Sequence, residues 1–246
     1  LKDMRKYILY KFYFLALCIL IGCQCIPSLD TEQEITPSQY SKVMCVNCAP
    51  QFEKLKIYAG DFLLHSALYY GMEEGFRYIN VLPGVINFVV LYKSDSTLFN
   101  GMVSLRKAVP YTFFIYQLQK RIQPLLLYDT LSSYSFTNSY FRFVNIANNS
   151  PGSLVFTVEQ QYPVAVGLGF RSFTKFFTTY PEKYNIEIRD AEKDSVLFFY
   201  KSYSFLPGKG YTIVLRGDFK VASGIGSPSV LIIQHNFDEI YYQEIK

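Results

Sequence analysis

The second half of this chain is a diverged copy of the first, and that repeat constrains the fold more than any other feature. Displacing the sequence by 98 residues sets Val46-Asn47-Cys48-Ala49 on Val144-Asn145-Ile146-Ala147, Ala67 on Ala165, Gly71 on Gly169, Pro83 on Pro181 and Asn87 on Asn185. After one inserted residue, Asp95-Ser96 and Leu98-Phe99 fall on Asp194-Ser195 and Leu197-Phe198, and after another Tyr111-Thr112 falls on Tyr211-Thr212. Matches that keep their order over such a length mean two copies of one module. Their expected bounds are 40–132 and 133–246, behind a tether at 23–39.

Within each copy the hydrophobic pattern has period two. Tyr184-Asn185-Ile186-Glu187-Ile188-Arg189 alternates as a half-buried strand should. Similar runs cover 139–144, 154–158, 173–178, 195–200 and 211–216. Clusters such as Asn148-Asn149-Ser150-Pro151-Gly152 and Pro207-Gly208-Lys209-Gly210 separate them as turns, and no sustained helical stripe follows residue 23. About seven short strands per copy predict an all-β chain: two tandem Ig-like antiparallel β-sandwich modules. The composition fits a large buried core, since half of the residues are hydrophobic, 22 are Tyr, 22 are Phe and only 18% are charged.

Residues 1–22 read as an export signal. Lys2, Arg5, Lys6 and Lys11 form a basic head, with Leu1 to Asp3 preceding a start at Met4. Phe12 to Ile21 is an apolar run shorter than the roughly 20 residues needed to span a bilayer. The run ends in Leu20-Ile21-Gly22-Cys23, which resembles the bacterial lipobox. That resemblance implies acylation of Cys23, membrane attachment through the lipid, and location at the outer membrane, because Gln24 rather than Asp follows the cysteine. A plain transmembrane anchor, or a signal peptide with an incidental Cys, is the alternative. Cleavage before Cys23 removes four basic residues and Asp3, so the net charge falls from +4 to +1. A chain so nearly neutral, with no basic stripe, has no electrostatic footprint for nucleic acid.

The strand Phe141-Arg142-Phe143-Val144-Asn145, the strand near Val155-Phe156-Thr157-Val158 and the late Leu206-Pro207-Gly208-Lys209-Gly210-Tyr211-Thr212 together resemble a bacterial domain-of-unknown-function family. Its modules are Ig-like, often tandem and often carried on envelope lipoproteins. The first copy departs from it, with Lys107-Ala108-Val109-Pro110 before Tyr111-Thr112. The resemblance brings no catalytic or ligand-binding residue.

Few residues offer chemistry. Cys45-x-x-Cys48 lacks the strand-to-helix setting of a redox site, a second ligand pair for zinc, and a His in place of Ala49 for haem attachment. The repeat sets Cys45 opposite Phe143 and Cys48 opposite Ile146, so both are read as packing thiols or an opportunistic disulfide, with Cys25 as a third candidate partner. His65, near Asp61, and His235, near Asp238, have no nucleophile beside them and read as surface or loop histidines. Glu73-Glu74 and the acids between Asp190 and Asp194 read as solvated loops without calcium-site spacing. Neither a metal nor a cofactor is expected.

Ser96, Thr130 and Ser195 sit in Asp95-Ser96-Thr97, Asp129-Thr130-Leu131 and Asp194-Ser195-Val196, tripeptides similar to a bacterial O-glycosylation sequon; ordinary turns are the competing reading. The copies also differ on one face. Val89, Leu91, Phe114 and Tyr116 stand where the second copy has Glu187, Arg189, Val214 and Arg216, giving the first copy apolar side chains that mark an interface. Packing against the second module or the segment 237–245 is one reading; a protein or glycan surface is the other. The expectation is a non-catalytic, lipid-anchored envelope protein for binding, adhesion or structure. A periplasmic assembly or chaperone-like partner using β-edge pairing is the alternative, and a hydrolase using loop carboxylates the weakest.

Overall fold

A computed structural model describes residues 39–241, except 73–75, 94, 120 and 159–162. Residues 37–246 form one compact unit. The export signal, Cys23, Cys25 and Glu73-Glu74 lie outside the described residues. Among the described residues the chain is all-β, with one short helix at its end.

The first module contains β1 (Ser41–Cys48), β2 (Lys54–Ala59), β3 (Phe62–Tyr69), β4 (Ile79–Val81), β5 (Gly84–Tyr92), β6 (Ser96–Leu105), β7 (Pro110–Leu118) and β8 (Arg121–Tyr128). They form two sheets, ordered β4-β1-β7-β8 and β3-β2-β5-β6. The second module contains β9 (Ser139–Asn145), β10 (Leu154–Val158), β11 (Pro163–Val166), β12 (Ser172–Phe173), β13 (Phe177–Thr179), β14 (Lys183–Asp190), β15 (Ser195–Ser204), β16 (Gly210–Arg216) and β17 (Ser229–His235), followed by α1 (Phe237–Tyr241). Its sheets repeat the first pair: β12-β9-β16-β17, with β13 also on β9, and β11-β10-β14-β15. The sandwich architecture is shared with immunoglobulin domains, while the connectivity keeps β2, β3, β5 and β6 together in one sheet and β10, β11, β14 and β15 in its counterpart. Most pairs are antiparallel. Each module has one parallel pair, Cys45 opposite Phe113 on β1 and β7, and Phe143 opposite Ile213 on β9 and β16.

Each sandwich closes on its own core. Leu55, Ile57, Phe88, Val90, Phe113 and Ile115 fill the first, and Leu154, Phe156, Ile186, Ile188, Ile213 and Leu215 the second. A third core joins the modules: Met44, Val46, Phe114 and Tyr116 from one, Val144, Ile146, Val214 and Ile233 from the other. The β1/β7 and β9/β16 sheets therefore pack face to face, and the molecule is a stack of four sheets. The inner two are covered on both faces, so β7, β9 and β16 are buried along nearly their whole length and show no polar alternation. The outer two keep it, as the half-exposed patterns of β6 and β15 show.

Candidate functional site

The repeat rests on side-chain chemistry that both copies retain. Asn47 Oδ1 accepts the Ala49 N–H while its amide donates to the Leu68 carbonyl; Asn145 does the same with Ala147 and Leu168. The phenol oxygens of Tyr111 and Tyr211 accept the backbone N–H of Arg106 and Leu206, each five residues upstream. The Val-Asn-x-Ala and Tyr-Thr motifs are thus a strand-end clasp and a tyrosine corner.

Where the two inner sheets meet, the equivalent positions of the copies form a buried polar cluster. Thr112 and Thr212 are repeat partners. So are Asp129 and His235, which follow the register Tyr111–Tyr128 and Tyr211–Gln234. Arg142 stands where the first copy has Met44. Arg142 and Asp129 form an ion pair with side chains 2% and 0% exposed. Arg142 Nη1 donates to the Tyr128 carbonyl at 2.9 Å and its Nε to Thr212 Oγ1 at 2.9 Å. Asp129 Oδ2 accepts from Tyr78 at 2.7 Å and Thr112 at 2.6 Å.

His235 completes the cluster, with Nδ1 2.7 Å from the Tyr78 oxygen and Nε2 2.6 Å from Thr212 Oγ1. The donor inventory and burial together set its state. The Tyr78 hydroxyl is spent on Asp129, so Nδ1 donates to the Tyr78 oxygen; in the neutral imidazole Nε2 then accepts the Thr212 hydroxyl, whose oxygen still accepts from Arg142. His235 is neutral, and burial pulls its pKa down to about 4, opposed by Asp129 and helped by Arg142. Burial beside Asp129 pushes the Tyr78 phenol well above its ordinary range. Phe176 lies edge-on to the imidazole and Phe237 of α1 stacks on it, 5.6 Å and 5.4 Å between centroids, so the cluster is sealed.

This corrects the reading of His235 as a surface histidine: it is fully buried. An enclosed cluster with each polar group matched to a partner offers no substrate access and acts as a lock between modules. Arg142 was hidden from sequence reasoning because Phe-Arg-Phe looks like a strand with one solvated residue; the repeat, which sets Met44 opposite it, carried the signal. In the sequence Asp129 stands only in the sequon-like Asp129-Thr130-Leu131.

The four interface candidates separate. Phe114 and Tyr116 are buried in the core between the modules, with Tyr116 edge-on to Phe170. Val89 and Leu91 lie half-buried on the outward face of β5, with Phe88 and Val90 turned into the core. There Leu91 lines a cleft of about 430 Å³ with Lys54, Lys56, Tyr69, Tyr92 and Lys93. At the matching place of the second module, Arg189 bridges Glu187 at 3.0 Å and Asp194 at 2.7 Å.

Cys45 faces the first core and Cys48 the core between modules, so an odd spacing along one strand points them to opposite sides. Both are free thiols. Burial raises Cys45 far above its usual value and pushes Cys48 up to about 11, against the pull of Arg216. Such thiols are inert packing groups. His65 is partly buried on β3, and burial lowers its pKa, helped by Arg77. Asp95 and Asp194 hold left-handed turn conformations, φ 59° and 48°, at equivalent hairpins. Ser96 and Thr130 are exposed and Ser195 half-buried, while the Asp129 carboxylate is committed to Arg142. Asp190 is not solvated: it is buried and accepts the N–H of Glu192 and Lys193 in a turn. Among the described residues, no three or more metal-ligating side chains cluster, and no helix is long and apolar enough to cross a membrane.

No protein-family model matches the chain, and no curated protein does. Among solved structures, it is similar to a candidate cell adhesion protein from Bacteroides uniformis ATCC 8492, at 11% identity over 80% of this chain and 97% of that one, with a TM-score of 0.26. A candidate adhesin from Bacteroides ovatus aligns at 10% identity over 83% and 95%, TM-score 0.22. A candidate cell adhesion protein from Bacteroides ovatus ATCC 8483 aligns at 10% identity over 80% and 96%, TM-score 0.22. Likeness this distant carries no argument about what the chain binds.

Proposed function

We infer that this chain is a non-catalytic envelope protein for binding or adhesion, attached to the outer membrane through a lipid on Cys23. One observation carries the binding role: at two positions of its outer sheet the first module bears apolar side chains where its twin holds an ion pair. Val89 and Leu91 replace Glu187 and Arg189, and Val85 and Met102 beside them are 67% and 69% exposed. A sandwich needs no apolar side chains on its solvent face, and the group formed by these four fits a protein or glycan partner. The lock between modules supports a rigid carrier for that face. The lipobox-like Leu20-Ile21-Gly22-Cys23 and the resemblance to modules of envelope lipoproteins support the address.

Protease shaving of intact cells tests it, comparing wild type with Cys23→Ala and following the second module by antibody. The expected result is loss of the wild-type signal from cells and release of the variant from the membrane. A wild type fully protected inside a membrane fraction overturns surface adhesion in favour of a periplasmic assembly role. Equal membrane retention of both forms overturns the lipid anchor.

A further inference from the structure

We propose that the cleft on the outer face of β2 and β5 is a binding site for an acidic saccharide, a pyranose bearing a carboxylate or sulfate; this rests on the binding role above. Three lysines converge there, each beside a tyrosine ring: Lys54 Nζ is 5.7 Å from the Tyr69 centroid, Lys56 5.3 Å from Tyr58 and Lys93 5.2 Å from Tyr92. A ring face positions an ammonium group by its quadrupole and leaves the positive charge uncancelled. The cleft's two acids do not balance the three cations, and Asp95 is already engaged by Lys56 at 3.2 Å. The result is a positive rim held at defined places before any ligand arrives.

The lining chooses the kind of anion. Leu91 offers the apolar surface that the C–H face of a sugar ring needs, and Ser66 with the tyrosines supplies hydroxyls. The volume, about 430 Å³, falls in the range of small-molecule sites and suits one or two sugar rings. Lys54, Lys56 and Leu91 stand on the face of the middle strands β2 and β5, with Ser66 and Tyr69 of the edge strand β3 at one wall, so the cleft offers side chains on a sheet face more than the main-chain pairing by which extended peptides dock. The twin explains why one module carries the site. Arg189, at the position of Leu91, reaches Glu187 and Asp194 and closes the space with its own charges.

Calorimetric titration of the full chain carrying Cys23→Ala tests this, with trigalacturonate and a sulfated disaccharide as the acidic probes and maltotriose as the neutral one. Saturable binding of at least one acidic probe is expected, at least ten-fold tighter than maltotriose and weakening with salt. Which acidic probe binds tells carboxylate from sulfate. Lys54→Ala with Lys93→Ala should weaken binding about ten-fold, and Val89→Glu with Leu91→Arg, which imports the twin's paired charges, should abolish it with an unchanged melting profile. Absence of saturable acidic binding, equal binding of maltotriose, or unaltered affinity in the lysine pair variant overturns the proposal. The lysine pair decides if Val89→Glu with Leu91→Arg does not fold. Failure here with surface exposure intact in the shaving experiment removes the saccharide and leaves the envelope role.

Discussion

His235 is the residue whose burial has the most direct measurable consequence. Its pKa is about 4 in the folded chain and about 6.5 when unfolded. Between those values the unfolded chain takes up a proton that the native cluster refuses, so the contribution is complete above the unfolded value and is lost as pH falls toward 4. The loss by pH 5 is about 2 kcal/mol. Urea unfolding at pH 7 and pH 5 should show it in the wild type, and His235→Gln should flatten the difference; an equal pH slope in both chains would show that the imidazole does not titrate as argued. Arg142 is the second residue-scale test. Arg142→Met, the first copy's residue, leaves Asp129 charged and unpaired in the interior and should cost about 3–5 kcal/mol. Adding Asp129→Asn should restore part of that, and a coupling near zero in the double-mutant cycle would deny the pair its role. The sequence showed the buried role of neither residue, because such a cluster has no local signature: Arg142 alternates like a surface residue, and His235 finds Tyr78 and Thr212 only through the tertiary fold.

At the scale of elements, legibility followed burial. Strands exposed on one face, β14 and β15 above all, stood out by alternation, though the run at 173–178 is split, with β12 ending at Phe173 and β13 beginning at Phe177. Doubly buried strands gave only apolar runs, Tyr111 to Tyr116 being the clearest, and period two cannot say what covers the second face. The 98-residue register also drifts locally. Ile57 pairs with Val90 and Phe156 with Ile188, so β2 and β10 match at 99. Loss of the glycine turn in the first copy, between Lys107 and Pro110, did not change the geometry. Ala108 holds φ 60° where Gly208 holds 72°, a conformation costing a residue with a Cβ roughly 1–2 kcal/mol. Exchanging the residues should therefore act in opposite directions. Ala108→Gly should stabilise the chain by about 0.5–1 kcal/mol after the entropy of the unfolded glycine is counted, and Gly208→Ala should destabilise it by about 1 kcal/mol. Denaturant midpoints of the two variants moving in the same direction would refute the shared turn.

At the scale of the molecule, the repeat was legible and the way its copies face each other was not. Equivalent segments of the modules reach across in both directions: Arg171 of the second module lies over Tyr116 of the first at 5.9 Å, and Arg216 lies over Tyr70 at 4.8 Å. Tyr116 and Arg216 are themselves repeat partners, so one position serves as ring in one copy and as cation in the other. The apolar positions that sequence comparison grouped as one surface then belong to opposite sides of the same sandwich, and mutation should tell them apart. Phe114 is fully buried between the inner sheets, so Phe114→Ala removes packing from both modules and should cost about 3–5 kcal/mol. Val89→Lys with Leu91→Lys alters a half-exposed face that no second sheet covers, and the long lysine stems can lie along it with their charges in water. That pair should shift stability by less than about 1 kcal/mol. Urea unfolding followed by far-ultraviolet circular dichroism measures both. Because the core between the modules is as closed as the cores within them, the wild type should unfold in one transition, and Phe114→Ala should broaden or split it. A single sharp transition retained in Phe114→Ala, together with collapse of the lysine variant, would reverse the assignment and make the outer sheet the face that holds the molecule together.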